Sequence, residues 1–399
     1  MALIYPEEGE YRMNRDYLEY IRKCLQVHGF EGRKKYIWHA TSMFITLLLF
    51  GRLSYAFRLI TEPKMLVEIV VTYPLGIMAV FKLHMLYFDR KRVQYFYNTI
   101  SNEFWAYHIA GPKPEAEIKR KHFLVYLLFV CEVGGSLTIL FFLCIIPIVD
   151  MPGGKLPLPF VNWTKFDIFD SSPIQEIFRV IMIWNLGLSV LSNMFFDALF
   201  FYGVEHLIGQ LILLKVLLEN IAKDIMEEKD DCEKFSSNEF QMKVYGRLRL
   251  CIDHHVKLLK FGKNLEEFCS AILLPQLLMI YVLLVIIGFV ISISNNELAK
   301  VFILSCISTA SVIELAVYAI PASDLQVECL SVMDSIKCSD WYLFRAPLKK
   351  ALTFMLMISK DPILIKAGGL YVIDNPVIIE VVQKAFSAIV LLRAITGVN

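Results

Sequence analysis

The sequence predicts an all-α membrane protein with seven transmembrane helices. Its 399 residues are 56% hydrophobic and only 20% charged, and the mean hydropathy is +0.54. This composition is too apolar for an ordinary soluble domain. A helix needs about 20 consecutive apolar residues to cross a bilayer, and the candidate runs cover residues 36–60, 65–88, 122–149, 174–199, 265–293, 298–320 and 376–395.

The distribution of Lys and Arg predicts the orientation. Cytoplasmic connections retain basic residues, and here the N-terminal segment and the second, fourth and sixth connections hold most of them. The opposite side carries little more than Arg58, Lys64, Lys155, Lys165 and Lys300. With seven spans, the N-terminus is then cytoplasmic and the C-terminus extracellular. The sequon at Asn162 falls in an extracellular connection, where N-glycosylation is possible.

Composition and motifs exclude several classes of function. The formal net charge of +1 does not favour nucleic acid as a partner. The polar N-terminal segment does not predict a cleaved signal peptide, and the Cys spacing indicates neither a disulfide scaffold nor a zinc site. There is no metal-ligand spacing, phosphate loop or nucleophile motif. The sequence therefore predicts a protein without catalytic residues, metal or other cofactor.

Amphipathic segments between the spans predict helices that leave the membrane. The predicted division is a cytoplasmic segment 1–35, helices one to four in 36–214, a cytoplasmic extension 215–262, helices five and six in 263–320, cytoplasmic anchor helices 321–368, and a last helix in 369–399. The string Asp253-His254-His255 could suggest a metal site. Adjacent His residues on a helix point in different directions, however, and no third ligand is suitably spaced. We therefore interpret this string as a solvated helix face.

The string Asp374-Asn375-Pro376 resembles part of a motif in the seventh span of G-protein-coupled receptors. Here it lacks the Tyr of that motif and stands at the start of the last apolar run, and such receptors have an extracellular N-terminus. A polar residue before a helix can cap its first N–H groups, and Pro suits the first turn. The string is therefore better explained as a helix start.

The C-terminal third carries a more specific pattern. It has a Trp, a basic pair on an amphipathic helix, a Pro, a Gly-rich turn, and a last span that ends in Ser, two aliphatic residues and Arg. These are Trp341, Lys349, Lys350, Pro362, Ala367-Gly368-Gly369, Ser387, Leu391, Leu392 and Arg393. With seven spans and a cytoplasmic N-terminus, this pattern resembles the insect odorant receptors. One departure is that Ala388 and Ile389 replace the aromatic residues common after that Ser.

The resemblance implies an odorant-gated, non-selective cation channel in the plasma membrane of olfactory neuron dendrites. In this family a tuning subunit binds a small volatile ligand and assembles with co-receptor subunits into a tetramer around one pore. The modest fourth connection here resembles that of a tuning subunit, since the co-receptor has a large insertion. A gustatory-type channel is one alternative, although its final-span pattern of Thr-Tyr and Gln-Phe is absent, and a seven-helix G-protein-coupled receptor is the alternative from a different class.

The resemblance also suggests the functional residues. The last helix lines the pore in this family, and its small and aliphatic residues suit close helix packing. An apolar ring of Leu391 or Val390 could gate by dewetting, and the candidate pore and gate residues are Ser387, Val390, Leu391 and Ala394. By the family pattern, an apolar pocket lies in the outer half of spans two to five. Its candidate residues are Tyr73, Gly135, Thr138, Phe142, Phe178, Met182, Asn185, Ile280 and Tyr281.

Two charges within predicted spans require partners. A charged side chain at membrane depth must pair, reach the interface or face water. We expect Arg179 to pair with Glu176 or Asp170, and Lys82 to pair with an acidic residue at the cytoplasmic side.

Overall fold

The structure is a computed structural model that describes residues 77–78, 81–82, 84–86, 88–149, 174–226, 228–293 and 298–396. This part of the chain contains eight α-helices and one short hairpin. The helices are α1 (Arg90–Asn102), α2 (Pro112–Val149), α3 (Ile174–Glu219), α4 (Asp231–Ser236), α5 (Asn238–Ile293), α6 (Leu298–Cys338), α7 (Ala346–Ile358) and α8 (Asn375–Thr396), and the hairpin pairs β1 (Lys366–Ala367) with β2 (Tyr371–Val372). The all-α prediction is confirmed. The first predicted span and Asn162 lie outside the described residues.

The long helices extend well beyond the predicted spans. Helix α5 has 56 residues, which corresponds to a length of about 84 Å, whereas the hydrocarbon core of a bilayer is about 30 Å thick. Helix α6 continues through Pro321 to Cys338, although the sequence divided it at residue 320. Within the described residues, three helical segments are long and apolar enough to cross a membrane, namely Asn193–Glu219, Asn238–Ser292 and Leu304–Cys338.

Helix α3 runs through the centre of the helix bundle. From Phe195 to Leu218 nearly every side chain is buried or half-buried, because α3 packs against α2, α5 and α6. A helix that is apolar on all sides is expected to be enclosed in this way. This stretch is apolar on most sides, and its interspersed polar residues, such as Asp197 and Gln210, have partners inside the protein, so the sequence favours the central position.

Aromatic rings attach α1 to α5. The ring of Phe96 lies 5.4 Å from Phe261 and 5.6 Å from Phe268, both edge to face. Phe104, just after α1, lies 5.1 Å from Phe261 in the same arrangement. Edge-to-face pairs at these distances contribute beyond their buried area. This cluster holds the segment between the second and third predicted spans against the inner part of α5.

The prediction of a solvated face at His254 and His255 is wrong. Both side chains are buried, because α1, α3 and the segment after α1 cover this part of α5. The His254 ring stacks on Trp105 at 3.6 Å, and its Nε2 lies 3.0 Å from Gln210 Oε1. Gln210 in turn exchanges two hydrogen bonds with the backbone of Trp105, at 2.9 and 2.8 Å. The Nε2 atom of His254 thus has a partner inside the protein, which is why the burial of this ring is tolerated.

A polar clamp joins the beginning of α5 to α7. The Arg345 guanidinium donates to Asn238 Oδ1 and to the Ser236 carbonyl, both at 2.6 Å. The Gln241 side chain donates to the Leu343 carbonyl at 2.9 Å and accepts from the Arg345 backbone N–H at 3.1 Å. These bonds unite the two regions that the sequence predicted as cytoplasmic.

The hairpin binds α5 through two glycines. Gly368 and Gly369 have φ values of +60° and +70°, a region that side chains disfavour. The Gly368 N–H donates to the Ser270 carbonyl at 2.8 Å, and the Gly369 N–H donates to the Ser270 hydroxyl oxygen at 2.7 Å. A Cβ on Gly368 would lie 2.6 Å from Leu274 Cδ2. The Gly-Gly turn is thus required both by its backbone conformation and by close packing.

Helix α8 starts directly after this hairpin and packs along α5 and α6. Its first turn contains Pro376, so the interpretation of this string as a helix start is confirmed. The Asn375 N–H donates to the Ser323 hydroxyl oxygen on α6 at 2.8 Å. One face of the helix, formed by Val377, Val381 and Ala385, is buried against a cluster that includes Ile280 and Leu315.

We predict that Gly368→Ala destabilises the protein by more than Gly369→Ala. Both substitutions place a side chain at positive φ, which costs roughly 1–2 kcal/mol, but only the Cβ at position 368 also collides with Leu274, since the site at Gly369 has open space. Thermal unfolding of the two purified variants in detergent measures the difference. Equal melting temperatures would show that close packing at Gly368 contributes nothing.

Candidate functional site

The predicted ligand pocket is only partly within the described residues. Tyr73 lies outside them. Phe142 lies on α2, and Phe178, Met182 and Asn185 lie on α3, but the side chains of these four residues are not described. The same holds for the predicted ion pair of Arg179. Four predicted pocket residues remain, two on α2 and two on α5.

Of the two residues on α2, Gly135 lies where this helix passes α6 and Thr138 is exposed. Gly135 is half-buried, and a Cβ at this position would lie 3.9 Å from Ala310 Cβ, so the two helices approach closely. Thr138 is exposed, and its hydroxyl donates to the Gly134 carbonyl at 2.7 Å. This bond within the helix satisfies the hydroxyl locally.

The two residues on α5 lie at the cluster that buries one face of the last helix. Ile280 is buried in the cluster that contains Val377, Val381 and Ala385 of α8, and Tyr281 packs against the same cluster. The predicted pocket residues on α5 therefore belong to the same apolar cluster as the buried face of the predicted pore helix. Gly135 thus lies at the contact of α2 with α6, Ile280 and Tyr281 lie at the cluster shared with α8, and Thr138 is exposed.

A network of buried charges lies between the long helices. Lys82 is fully buried, and its Nζ lies 2.8 Å from Asp197 Oδ1 on α3 and 3.2 Å from Glu314 Oε1 on α6. The prediction that Lys82 pairs with an acidic residue is confirmed. Gln276 of α5 donates to Glu314 Oε1 at 2.7 Å, and the Tyr318 hydroxyl donates to Asp197. The network therefore connects the helical segment at Lys82 with α3, α5 and α6.

Glu132 of α2 adds a third carboxyl group to this network. One ligand oxygen from each of Glu132, Asp197 and Glu314 lies within 4.8 Å of the others, a spacing that could hold a metal ion. The Lys82 ammonium already supplies a positive charge to two of these carboxylates, so we interpret the group as an ion-pair network. Local sequence patterns miss it, because its members are single polar residues on separate apolar helices.

A second charged contact joins three helices nearer the predicted cytoplasmic side. Glu328 of α6 accepts from Lys121 of α2 at 2.5 Å and from Lys215 of α3 at 3.3 Å. Glu328 is buried and the two Lys side chains are largely so. Partly buried pairs are screened by salt less than exposed pairs. The bundle is thus held by ionic contacts at two levels.

The predicted pore and gate residues are all exposed on α8. Ser387, Val390, Leu391 and Ala394 lie away from the buried face of the helix, with Val390 51% and Leu391 61% exposed. Ser387 donates back to the Gln383 carbonyl at 2.9 Å. A single protomer therefore leaves this side of α8 open.

One charged residue on the open side of α8 is tied to the hairpin. The Tyr371 hydroxyl donates to Glu380 Oε2 at 2.6 Å, and Lys384 Nζ lies 3.1 Å from the same oxygen. The hydrogen bond to this carboxylate, together with partial desolvation and nearby negative charge, raises the pKa of Tyr371 to about 12. The hydroxyl therefore keeps its proton at neutral pH and remains a donor. Neither Tyr371 nor Glu380 was identified from the sequence.

Comparisons with known proteins agree on one family. A family model described as 7tm Odorant receptor matches residues 65–386. Odorant receptor 13a of Drosophila melanogaster is 22% identical over 340 residues, or 80% of this chain and 78% of that protein. Odorant receptor Or2 of Anopheles gambiae is 23% identical over 156 residues. That match spans 38% of this chain and only 40% of the Anopheles protein.

A solved structure shares the fold along nearly the whole chain. The insect olfactory receptor OR5 from Machilis hrabei, in complex with eugenol, superposes with a TM-score of 0.77 and covers 96% of this chain and 98% of that chain. The sequence identity is 12%. The likeness therefore concerns the arrangement of the helices.

We predict that Lys82→Met severely destabilises the protein. It leaves the carboxylates of Asp197 and Glu314 buried without their counter-charge, and breaking a buried pair from one side costs about 3–5 kcal/mol. The matched control is Lys384→Met, which breaks an exposed pair worth at most about 1 kcal/mol. Adding Asp197→Asn to Lys82→Met should restore part of the loss. Melting temperatures of the purified variants test this, and equal losses for the two Lys substitutions would contradict it.

Proposed function

This chain belongs to the 7tm odorant receptor family, and on that premise we propose that it is the odorant-binding subunit of a ligand-gated cation channel. Odorant receptors of this family are membrane proteins and not enzymes. As a tuning subunit, this chain forms a heterotetramer with co-receptor subunits, and its last helix lines a pore for cations.

The observation that carries the channel proposal is the open side of α8. This helix is attached to α5 and α6 along one face only, while Glu380, Lys384 and Ser387 are exposed on the remainder. Charged side chains of a membrane helix are expected to face water or protein and not lipid. A water-filled path between the α8 helices of several subunits would explain why only one face of α8 is attached to its own protomer. It would also give the exposed charged side chains water to face.

Assembly with other subunits is supported by apolar side chains outside the long helices. Leu370 at the tip of the hairpin is 86% exposed, and Trp341, Tyr342, Phe354 and Met357 around α7 are also exposed. Large exposed apolar side chains in one region are typical of protein interaction sites. In the proposed complex they contact neighbouring subunits beneath the membrane, including those of the co-receptor.

The proposed gating route runs from the ligand pocket through α5 to α8. A small volatile ligand binds in the outer half of spans two to five, and Ile280 and Tyr281 pack in or against the cluster that buries one face of α8. Binding can open the channel only if the ligand has higher affinity for the open arrangement than for the closed one. A shift of α5 at these contacts would move α8 and widen the apolar constriction at Leu391 or Val390.

We predict that Leu391→Ser, expressed with the co-receptor, increases the resting current, because a polar ring stabilises water in an apolar constriction. Ile379→Ser is the matched control, since Ile379 lies on the same helix and is also 61% exposed. The measurement is whole-cell current before and during application of a panel of volatile compounds that includes eugenol. A resting current and an evoked current that are both unchanged by Leu391→Ser would rule out Leu391 as the gate.

We also predict a cytoplasmic N-terminus and an extracellular C-terminus. Intact cells should therefore stain for a tag after Asn399 but not for a tag before Met1, which should become accessible after permeabilisation. In this orientation Asn162 is extracellular, so Asn162→Gln should remove any glycan-dependent shift in mobility. Staining of the N-terminal tag on intact cells would overturn the proposed orientation.

A further inference from the structure

The exposed surface of α8 is divided into two stripes. Successive residues of a helix are about 100° apart, so residues three, four and seven positions apart share a side. The first stripe is apolar and contains Ile379, Val382, Phe386 and Val390. The second is polar and contains Glu380, Gln383, Lys384 and Ser387. The two stripes are suited to different environments, lipid or protein for the first and water for the second.

The polar stripe continues to Leu391. Ser387 lies seven residues after Glu380, and Leu391 lies four residues further on, so all three fall on one side of the helix. Val390 lies about 100° around the helix from Leu391, at the border between the two stripes, since it follows Phe386 by four residues and Ser387 by three. If Leu391 narrows the ion path, Glu380 faces the same path about 16 Å further along the helix axis, toward the hairpin.

The carboxylate of Glu380 is positioned by contacts on only one of its oxygens. Tyr371 donates to Oε2, and Lys384 contacts the same atom. Tyr371 belongs to the hairpin that Gly368 and Gly369 fasten to Ser270 of α5, so this donor is held by the body of the protein. None of the described contacts involves the other oxygen, Oε1, and the side chain is 47% exposed.

We propose that Glu380 faces the ion path and determines the preference of the channel among cations, with Tyr371 as its positioning residue. The inference rests on the proposed channel function. A carboxylate beside a narrow water-filled path attracts divalent cations more strongly than monovalent ones, because the Coulomb energy scales with the charge of the ion. Lys384, on the same stripe, opposes this effect. The two charges of this exposed pair therefore have opposite consequences for permeation.

The test is the permeability ratio of Ca²⁺ to Na⁺, obtained from reversal potentials in cells that express this chain with the co-receptor. Current evoked by the volatile panel or the resting leak through Leu391→Ser channels can be used, and cells expressing the co-receptor alone give the background. Glu380→Gln should lower the ratio roughly two- to fivefold. Lys384→Gln should raise it, and Tyr371→Phe should lower it by less than Glu380→Gln.

Asp374→Asn is the matched control, because it removes the same charge just before α8, off the polar stripe, and should leave the ratio unchanged. A ratio unaffected by both Glu380→Gln and Tyr371→Phe, in channels that still conduct, overturns the role of Glu380 and leaves the channel proposal standing. Equal effects of Glu380→Gln and Asp374→Asn also overturn it, since they indicate a general surface charge. If the native chain and Leu391→Ser carry no current above background, the channel proposal fails and the role of Glu380 fails with it.

Discussion

The ammonium group of Lys82 lies in the apolar interior of a helix bundle, where an unpaired charge would be highly unfavourable. Its pairing with Asp197 and Glu314 requires α3 and α6 to stand at fixed positions relative to the segment at residue 82. Gln276 extends the requirement to α5 through its hydrogen bond to Glu314. Burial of apolar area brings helices together without direction, whereas these bonds have defined geometry. The network therefore specifies which faces of the central helices meet.

The position of the last helix depends on the two helices that this network orients. Helix α8 packs in the angle between α5 and α6, and its start is bonded to Ser323 of α6. The hairpin before it is bonded to Ser270 of α5 by consecutive N–H groups. Since both ends of this connection are attached to the bundle, the rotation of α8 about its own axis is also determined. That rotation decides which residues are buried and which form the exposed stripes.

Much of the fold could be predicted from the sequence, because it depends on local properties. Runs of apolar residues indicated the long helices, and the polar start of the last run indicated where α8 begins. The charge of Lys82 within an apolar run was enough to predict an acidic partner. The identity of that partner was not predictable from local patterns, since Asp197 is 115 and Glu314 is 232 residues away in the sequence.

The wrong prediction and the missed residues have the same physical origin, because they depend on contacts that form only in the folded chain. His254 and His255 occupy positions that suit a solvated helix face by composition, but both are buried. Trp105 and Gln210, from distant parts of the chain, cover and satisfy His254. The bond between Tyr371 and Glu380 depends on the shape of a hairpin and was equally invisible. Among the candidate gate residues, composition could not separate Leu391 from Val390. Helix rotation separates them by about 100°, because Leu391 lies within the polar stripe and Val390 lies at its border with the apolar stripe.

The central claim is that the polar stripe of α8 faces water in a cation path, and thiol accessibility tests it most directly. Ser387→Cys and Phe386→Cys place a thiol on the polar and the apolar stripe at adjacent positions. Cys131, Cys232 and Cys338 of the native chain are exposed, so the effect of the reagent on the unsubstituted channel is the baseline. A charged, membrane-impermeant thiol reagent should reduce the current through Ser387→Cys channels and leave Phe386→Cys channels at the baseline. Block at position 386 without block at position 387 would contradict the account.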